Sequence, residues 1–220
     1  MTIMHHPSDT TLAAFASGTL DEARALVLAT HLSLCRQCRD AVRTFESVGG
    51  ALLESIEPAP ITAGALDRAM AKLGQVAEQV VEQAEAAAPV RRDLAGTDTL
   101  PAPLSHYAMG PWRWLGRGIA WRSVDVPSDD AVRVFMLKAA PGTKLPKHRH
   151  TGTEWTCVFQ GAFRHQLGRY GAGDFDEADE SVEHHPMVED GDTCICLVAL
   201  QGSIELQGFL GRLLQPFVRI

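Results

Sequence analysis

One stretch in the second half of the chain constrains the fold more than any other. It runs from Gly142 to Gly161 and reads GTKLPKHRHTGTEWTCVFQG. His148, His150 and Glu154 stand at positions i, i+2 and i+6 within it. Alternate side chains of a β-strand point to opposite faces, so these three share one face if the strand stays regular. Two imidazoles and a carboxylate that converge in this way suit a divalent metal such as zinc or iron.

A second stretch, at residues 171–186, reads GAGDFDEADESVEHHP. Its two glycines predict a turn, and His184 and His185 near its end are candidates for a fourth ligand. The two stretches together resemble the two motifs of the cupin barrel. The second motif departs from the family pattern, because Ala172 replaces its proline and the asparagine after the histidine is absent. The resemblance implies that the fourth ligand maps best onto His184.

Short apolar runs separated by Gly, Pro and Asp turns continue through this half of the chain. We predict strands at residues 119–124, 132–138, 154–160, 162–167, 193–200 and 203–209. Such a series is typical of a barrel or a double-sheet jelly roll. Cys194 and Cys196 share one face of the apolar run TCICLVAL and are predicted core residues. Cys157 has the opposite parity to the proposed ligands, so we expect it to face away from the metal.

The first half of the chain has its own candidate metal ligands in the sequence HLSLCRQC. His31, Cys35 and Cys38 are spaced i, i+4 and i+7, which brings them together on a helix or across a tight helix junction. Two thiolates and an imidazole form a zinc set that lacks one ligand, and His5 and His6 lie upstream. Such a site can contribute roughly 10 kcal/mol or more to folding, which a small helical unit needs.

The pattern of capping residues predicts short helices around these ligands. Ser8 or Asp9 can cap a first helix, and Gly18 can end it. A T-x-x-E capping box at residues 19–22 is predicted to open a second helix. A third helix is predicted at residues 38–48, before a pair of glycines.

A further helix is predicted at residues 62–86, where apolar residues recur every three or four positions. Its stripe, which includes Leu66, Met70 and Leu73, either packs on its own domain or docks on a partner. Residues 88–103 carry prolines and few large apolar side chains, as is typical of a linker. We therefore predict two domains: an all-α, zinc-bound helical bundle at residues 1–87 and an all-β barrel at residues 104–220.

The charge of the chain restricts its partners. The formal net charge is −7, and residues 1–88 hold 6 Lys and Arg against 11 Asp and Glu, a net −5. DNA-binding helical modules are usually basic, so direct nucleic-acid binding is not expected, whereas a partner with a basic surface is. No apolar run is long enough for a membrane span, and the first residues do not form a signal peptide. We expect a cytoplasmic protein with reduced thiols, and the odd number of cysteines, five, agrees with this.

The H-x3-C-x2-C run resembles the zinc-binding anti-sigma domain, and this resemblance implies that His6 rather than His5 is the upstream ligand. The order of a helical zinc unit, a linker and a cupin resembles the ChrR-type anti-sigma factors over essentially the whole chain, including the start MTI-x-HH and the terminal QPF-x-RI. What the resemblance implies is a non-enzymatic regulator. It would inhibit an extracytoplasmic-function (group IV) sigma factor and release it when singlet oxygen or related oxidants act through the cupin. Zinc would occupy the helical site, and zinc or another divalent metal the cupin.

Two other functions fit parts of the sequence. A cupin dioxygenase or isomerase with a helical appendage would use the same histidines and glutamate for iron or manganese. It should also have a shaped pocket and a further acid–base set, and His106 and His165 look isolated in the sequence. A metal-responsive DNA-binding repressor is disfavoured by the negative charge of the helical half.

Overall fold

The computed structural model describes residues 2–73, 100–116, 118–127 and 132–207. The chain forms two compact units, one of Met1–Ser47 with Leu100–Ile220 and one of Val48–Thr99. The first helices and the barrel therefore belong to the same unit. The predicted linker at residues 88–103 lies mostly outside the described residues, so that boundary stays a prediction.

Three helices form the first part of the chain: α1 Asp9–Ala16, α2 Glu22–Leu34 and α3 Arg36–Glu54. Ser8 caps α1, and its side chain accepts the N–H of Thr11. Gly18, just after this helix, takes the left-handed conformation with φ +68°, which glycine adopts at little cost. The start and the end of the first helix are thus as predicted.

The predicted capping box of the second helix is wrong. Asp21 is the N-cap of α2, and its carboxylate accepts the N–H of Arg24 at 2.9 Å. The hydroxyl of Thr19 instead donates to the carbonyl of Ala14, at the end of the preceding helix. Asp and Thr are both good caps, and the tight connection between the helices leaves Thr19 engaged elsewhere.

The predicted bounds of the third helix are also wrong. α3 begins two residues earlier than expected, at Arg36, and continues through Gly49 and Gly50 to Glu54. A glycine inside a helix costs about 1 kcal/mol relative to alanine. Neither glycine has a positive φ, so no turn forms there to end the helix.

The helix predicted at residues 62–86 is confirmed over its described part. Residues 65–73 are helical, and residues 74–86 lie outside the described residues. A short 3₁₀ helix, Ala102–His106, precedes the barrel.

After this short helix, the regular elements of the described residues up to 207 are all β-strands. They are β1 Arg113–Gly116, β2 Ile119–Val124, β3 Val132–Ala139, β4 His148–His150, β5 Glu154–Gln160, β6 Ala162–His165, β7 Gly168–Gly171, β8 Phe175–Ala178, β9 Glu183–His184, β10 Met187–Val188, β11 Cys194–Gln201 and β12 Ile204–Leu206. The predicted strands recur with ends shifted by a few residues, and the last two residues of the strand predicted at 203–209 lie outside the described residues. The predicted combination of a helical part and an all-β, cupin-like barrel is confirmed.

The strands form three antiparallel sheets. The largest has the order β1-β2-β3-β11-β5-β8, and two smaller ones have the orders β10-β6-β7 and β12-β4-β9. Strand β8 is therefore an edge of the six-stranded sheet. This position leaves one side of its backbone without a partner strand in that sheet.

Strand β11 separates two apolar cores. Ile195 and Leu197 point to the side where α2 packs, whereas Cys194, Cys196 and Val198 point into the barrel. Both faces are buried, which explains why the run TCICLVAL shows no apolar–polar alternation. The predicted burial of the two cysteines is confirmed.

Arg24 fastens α2 to the barrel. Its guanidinium donates to Asp21 at 2.6 Å, to the hydroxyl of Thr153 at 2.9 Å and to the side-chain oxygen of Gln201 at 2.6 Å. It also lies 5.5 Å from the centre of the Trp155 ring. The planar, five-donor guanidinium suits this arrangement, which a lysine could not reproduce.

Leu28 tests whether the helices and the barrel unfold together. It is fully buried in the core that α2 shares with the sheet. We expect Leu28→Ala to lower the free energy of unfolding by about 2–5 kcal/mol, because it leaves a cavity. Leu53→Ala, at a side chain that is 70% exposed, should change it by about 0.5 kcal/mol or less. The measurement is urea denaturation followed by tryptophan fluorescence and far-UV circular dichroism, and separate transitions for helix and barrel signals would contradict the shared core.

Candidate metal centres

The N-terminal candidate ligands converge at the junction of α2 and α3. His6, His31, Cys35 and Cys38 place their ligand atoms within 4.8 Å of one another. Nδ1 of His6 lies 3.4 Å from Sγ of Cys35 and 3.3 Å from Sγ of Cys38. Cys35 sits between the helices in an extended conformation, which turns Cys38 back towards the last turn of α2. His5 lies outside the cluster, with its ring stacked on Tyr170 at 4.1 Å.

The hydrogen bonding of His31 fixes its tautomer. Its Nδ1 donates to the carbonyl of Gly173 at 2.7 Å, so the lone pair is on Nε2. That Nε2 is buried and has no hydrogen-bond partner. Burial lowers the pKa of His31 to about 4, which keeps the ring neutral. A buried, neutral imidazole with a free lone pair is the form that binds a metal.

The two thiols complete a set that suits a tetrahedral cation. Cys35 and Cys38 are 3% and 2% exposed. Burial, with the hydrogen bond to Cys35, raises the pKa of Cys38 to about 12, so the Cys38 thiol needs a cation beside it to ionise. Nitrogen and sulfur ligands around a tetrahedral zinc lie roughly 3.3–3.8 Å apart. The distances from His6 to the two sulfurs agree with this spacing.

The barrel holds a second cluster. His148, His150, Glu154 and His184 place their ligand atoms within 4.8 Å of one another. His148 and His184 are paired across β4 and β9, with their Nε2 atoms 2.9 Å apart. His184 is buried, whereas His185 is exposed. The structure thus brings His184, and not His185, to the cluster.

The three ligands of the first motif do not lie on one regular strand. β4 ends at His150 and belongs to a small sheet, whereas Glu154 begins β5 in the large sheet. A short turn joins the strands, and in it a Cβ on Gly152 would lie 2.7 Å from the carbonyl oxygen of Gln201. The ligands meet because the two sheets face each other across the barrel.

The charges within the barrel cluster suit a divalent cation. Burial would raise the pKa of Glu154, but the neighbouring histidines lower it to about 2, so the carboxylate is ionised. Burial lowers the pKa of His148 and brings that of His184 to about 4. His148 Nδ1 donates to the carbonyl of Pro146 at 2.7 Å, which leaves its Nε2 lone pair towards the cluster. Burial would lower the pKa of His150, but its hydrogen bond to Glu154 raises it. The neutral imidazoles of His148 and His184 and the ionised carboxylate are the ligand forms that a metal requires.

A cavity of about 250 Å³ adjoins the barrel cluster. Apolar side chains form most of its wall, including Leu115, Ile119, Phe135, Leu137, Leu145, Phe163, Val188, Val198, Ile204 and Leu206. Cys194 and Cys196 also line it, with their sulfurs 3.7 Å apart. Cys157 belongs to the core on the other face of the sheet, so its predicted orientation away from the cluster is confirmed.

The sequence suggested that His165 is isolated, but in the structure both of its ring nitrogens have partners. Its Nε2 lies 3.3 Å from the carboxylate of Asp176, and its Nδ1 accepts the N–H of Leu167. These two bonds use both ring nitrogens, so His165 has no lone pair to offer a cation. The pair was missed because Asp176 and His165 lie on different strands, with no local spacing to connect them.

The predicted partner-binding residues are exposed. Leu66, Met70 and Leu73 expose 73%, 59% and 62% of their surface. No helix among the described residues is long and apolar enough to cross a membrane.

Comparisons with known proteins extend these observations. Residues 104–203 match a family described as the ChrR cupin-like domain. The chain is also 41% identical over 225 residues to the anti-sigma-E factor ChrR of Cereibacter sphaeroides, with 100% of both chains covered. The chain belongs to the ChrR family of anti-sigma factors. This family consists of regulatory proteins and not of enzymes.

A solved structure shows the same architecture in a family member. The crystal structure of Rhodobacter sphaeroides SigE in complex with the anti-sigma ChrR matches with a TM-score of 0.72 and 39% identity. The match covers 91% of this chain and 100% of that chain. The likeness therefore includes the helical part as well as the barrel.

Cobalt tests the two clusters separately. Only the N-terminal cluster contains thiols, so Co²⁺ bound there should give thiolate-to-cobalt charge-transfer absorption, and Co²⁺ in the barrel should not. We expect Cys38→Ser to weaken this band strongly and His148→Ala to leave it intact while lowering the bound cobalt. The measurement is a spectrophotometric titration of metal-free protein with metal analysis. A band that survives Cys38→Ser unchanged would contradict the assignment.

Proposed function

We propose that this chain binds an extracytoplasmic-function sigma factor and inhibits it. The observation that carries the proposal is the likeness to ChrR over the full length of both chains, together with the solved complex of a family member with SigE. A sigma factor acts inside the cell on RNA polymerase, so the proposed location is the cytoplasm. Direct contact with nucleic acid has no part in this function.

An exposed apolar segment supports a protein partner. Within the described part of the unit Val48–Thr99, large apolar side chains are exposed at Val48, Leu52, Leu53, Ile56, Ile61, Leu66, Met70 and Leu73. Single exposed apolar residues are ordinary, but a succession of them marks an interaction surface. Helices with such a stripe bind by lying in an apolar groove of a partner.

The charge of the first 88 residues supports a basic partner. Residues 1–88 carry 11 acidic against 6 basic side chains. Surfaces with which sigma factors contact DNA are basic, and an acidic inhibitor is attracted to them. The exposed apolar side chains would supply contact area, and the negative charge would speed association with the basic partner.

We assign Zn²⁺ to the N-terminal cluster and Zn²⁺ or another divalent metal to the barrel cluster. Two histidines and two cysteines with no place left for a substrate are typical of a structural zinc site. Such a metal would hold the N-terminus, α2 and α3 together and so maintain the partner-binding part. The three histidines and the glutamate of the barrel would bind a metal next to a cavity, where a small reactive molecule can reach it.

The barrel is the proposed sensor of singlet oxygen or related oxidants. Its metal cluster and the two cysteines of its cavity are oxidisable groups outside the helical part. A second hypothesis is oxidation of the thiolate ligands Cys35 and Cys38, which would remove the metal and the binding surface together. In either case the oxidant lowers the affinity for the sigma factor.

Leu66 provides a direct test of the partner-binding segment. We expect Leu66→Asp to weaken binding of the full chain to the cognate sigma factor about tenfold or more, because a charge in an apolar contact must be desolvated. Leu167→Asp is the matched control, since Leu167 is an exposed leucine of the barrel. Affinity is measured by biolayer interferometry with sigma factors from the same genome. Equal effects of the two substitutions would contradict the proposed surface.

Replacing the metal ligands separates binding from response. Cys35→Ala with Cys38→Ala should abolish sigma binding, because the helices lose their metal. His148→Ala, His150→Ala and Glu154→Ala together should leave binding intact and blunt release by photosensitised singlet oxygen. Binding before and after illumination is read by co-purification of the two proteins. Loss of sigma binding in the barrel variant would refute this division of labour.

A further inference from the structure

The N-terminal segment, residues 3–8, lies along the free edge of β8. The N–H groups of Met4 and His5 donate to Oδ1 of Asp174 at 2.7 and 2.9 Å. The N–H of Phe175 donates to the carbonyl of His5 at 3.1 Å. One backbone bond and two bonds to a side chain thus hold the segment, which includes the candidate ligand His6, against the edge strand and the turn before it.

Asp174 belongs to the barrel turn, residues 171–174, which joins β7 to β8. Its side chain is 3% exposed, and its second oxygen accepts the N–H of Gly171 at 2.7 Å. One carboxylate thus holds the turn together and binds the N-terminal segment. An asparagine of the same shape could accept at only one of these two positions.

Gly173 of the same turn meets two other parts of the N-terminal region. Its carbonyl accepts from Nδ1 of His31. A Cβ on it would lie 2.6 Å from Cδ1 of Ile3, and its φ is +93°. A larger residue would therefore be strained in its backbone and would collide with the segment.

A further contact fixes the start of α1. The carboxylate of Glu177, on β8, accepts the N–H of Ser8 at 3.1 Å and the hydroxyl of Thr11 at 2.5 Å. His6 is therefore held on both sides, by the bonds of His5 and of Ser8 to the barrel. The positions of two candidate ligands, His6 and His31, depend on the barrel turn and on β8.

We propose that the barrel turn is part of the N-terminal metal site: through Gly173 and Asp174 it positions His31 and His6, and so sets how tightly the metal is held. Neither residue touches the metal, and both act by orienting ligands. Groups that orient metal-bound histidines typically change metal affinity by 10- to 100-fold. The inference rests on the metal assignment made above for His6, His31, Cys35 and Cys38.

The two sides of β8 connect the clusters. Phe175 and Glu177 contact the N-terminal region, whereas Asp176 lines the barrel cavity and contacts His165. The His165 ring lies 5.2 Å from that of His184, a member of the barrel cluster. A displacement of β8 caused at the barrel cluster would therefore move the supports of the N-terminal ligands.

Asp174→Asn in the full-length chain tests the proposal. Protein loaded with Co²⁺ is mixed with excess EDTA, and loss of the thiolate-to-cobalt band is followed with time, because this band reports the N-terminal site alone. We expect Asp174→Asn to lose the band about 10- to 100-fold faster than the unchanged chain. Asp179→Asn is the matched control, since Asp179 follows β8 and its carboxylate accepts the N–H and the hydroxyl of Ser181 within the same turn.

The rates at which the band is lost distinguish a failure of this proposal from a failure of the metal assignment. Equal rates for Asp174→Asn and Asp179→Asn would overturn the proposal and leave the metal assignment standing. No thiolate band in the unchanged chain would overturn the metal assignment and this inference with it.

A reciprocal measurement does not require changing the barrel. Thermodynamic linkage is reciprocal: if docking of the N-terminal segment strengthens metal binding, bound metal stabilises the docked segment to the same extent. Cys38→Ser, which removes one N-terminal ligand, should therefore speed amide hydrogen exchange at Phe175, whose N–H is bonded to His5. The amide of Leu197 in β11 should keep its rate. If Asp174→Asn fails to fold, this exchange experiment decides, and an unchanged rate at Phe175 overturns the proposal.

Discussion

The packing of α2 on the six-stranded sheet is the interaction on which the rest of the structure depends. It covers Ile195 and Leu197 of β11 on one side, while Cys196 and Val198 line the barrel on the other. The same helix carries His31 on its last turn and Arg24 on its first, and both side chains bond to the barrel. Apolar burial supplies the free energy, and the polar bonds at the two ends determine where along the sheet the helix lies. The metal cluster is thus assembled by the packing of the protein as a whole.

Much of the barrel was predictable because strand patterns are local. Because side chains alternate between the two faces of a strand, Cys157 could be placed on the opposite side of the sheet from the ligands. Gly142 and Gly161 could be placed in turns, and they have φ +71° and +68°. The interruption after His150 was not predictable. It depends on Gly152 fitting against the carbonyl of Gln201, a contact between distant parts of the chain. The exact cap of α2 was missed because Thr19 and Asp21 are both competent caps.

The contacts between the helices and the barrel had no signal in the sequence. Met4 and Asp174 are separated by 170 positions, and His31 and Gly173 by 142. An aspartate after Gly-x-Gly predicts a turn residue, and nothing in that pattern indicates a buried carboxylate with a distant partner. The first helices pack on the barrel within one compact unit, and no sequence pattern indicated this packing. Spacing identified six candidate ligands and the family resemblance implied His6 and His184, but neither indicated the residues that support them.

The burial of β11 on both faces also bears on how such a protein can evolve. A barrel transferred to another chain without α2 would present Met136, Leu197 and Phe175 to water, all of which are buried in the core shared with the helices. An exposed apolar sheet of this kind favours aggregation. Recombination that exchanges whole modules would therefore succeed only when α2 is transferred together with the barrel. The helix α2 and the sheet face that it covers must then diverge together. A mutation in one is tolerated only if the other can still pack against it.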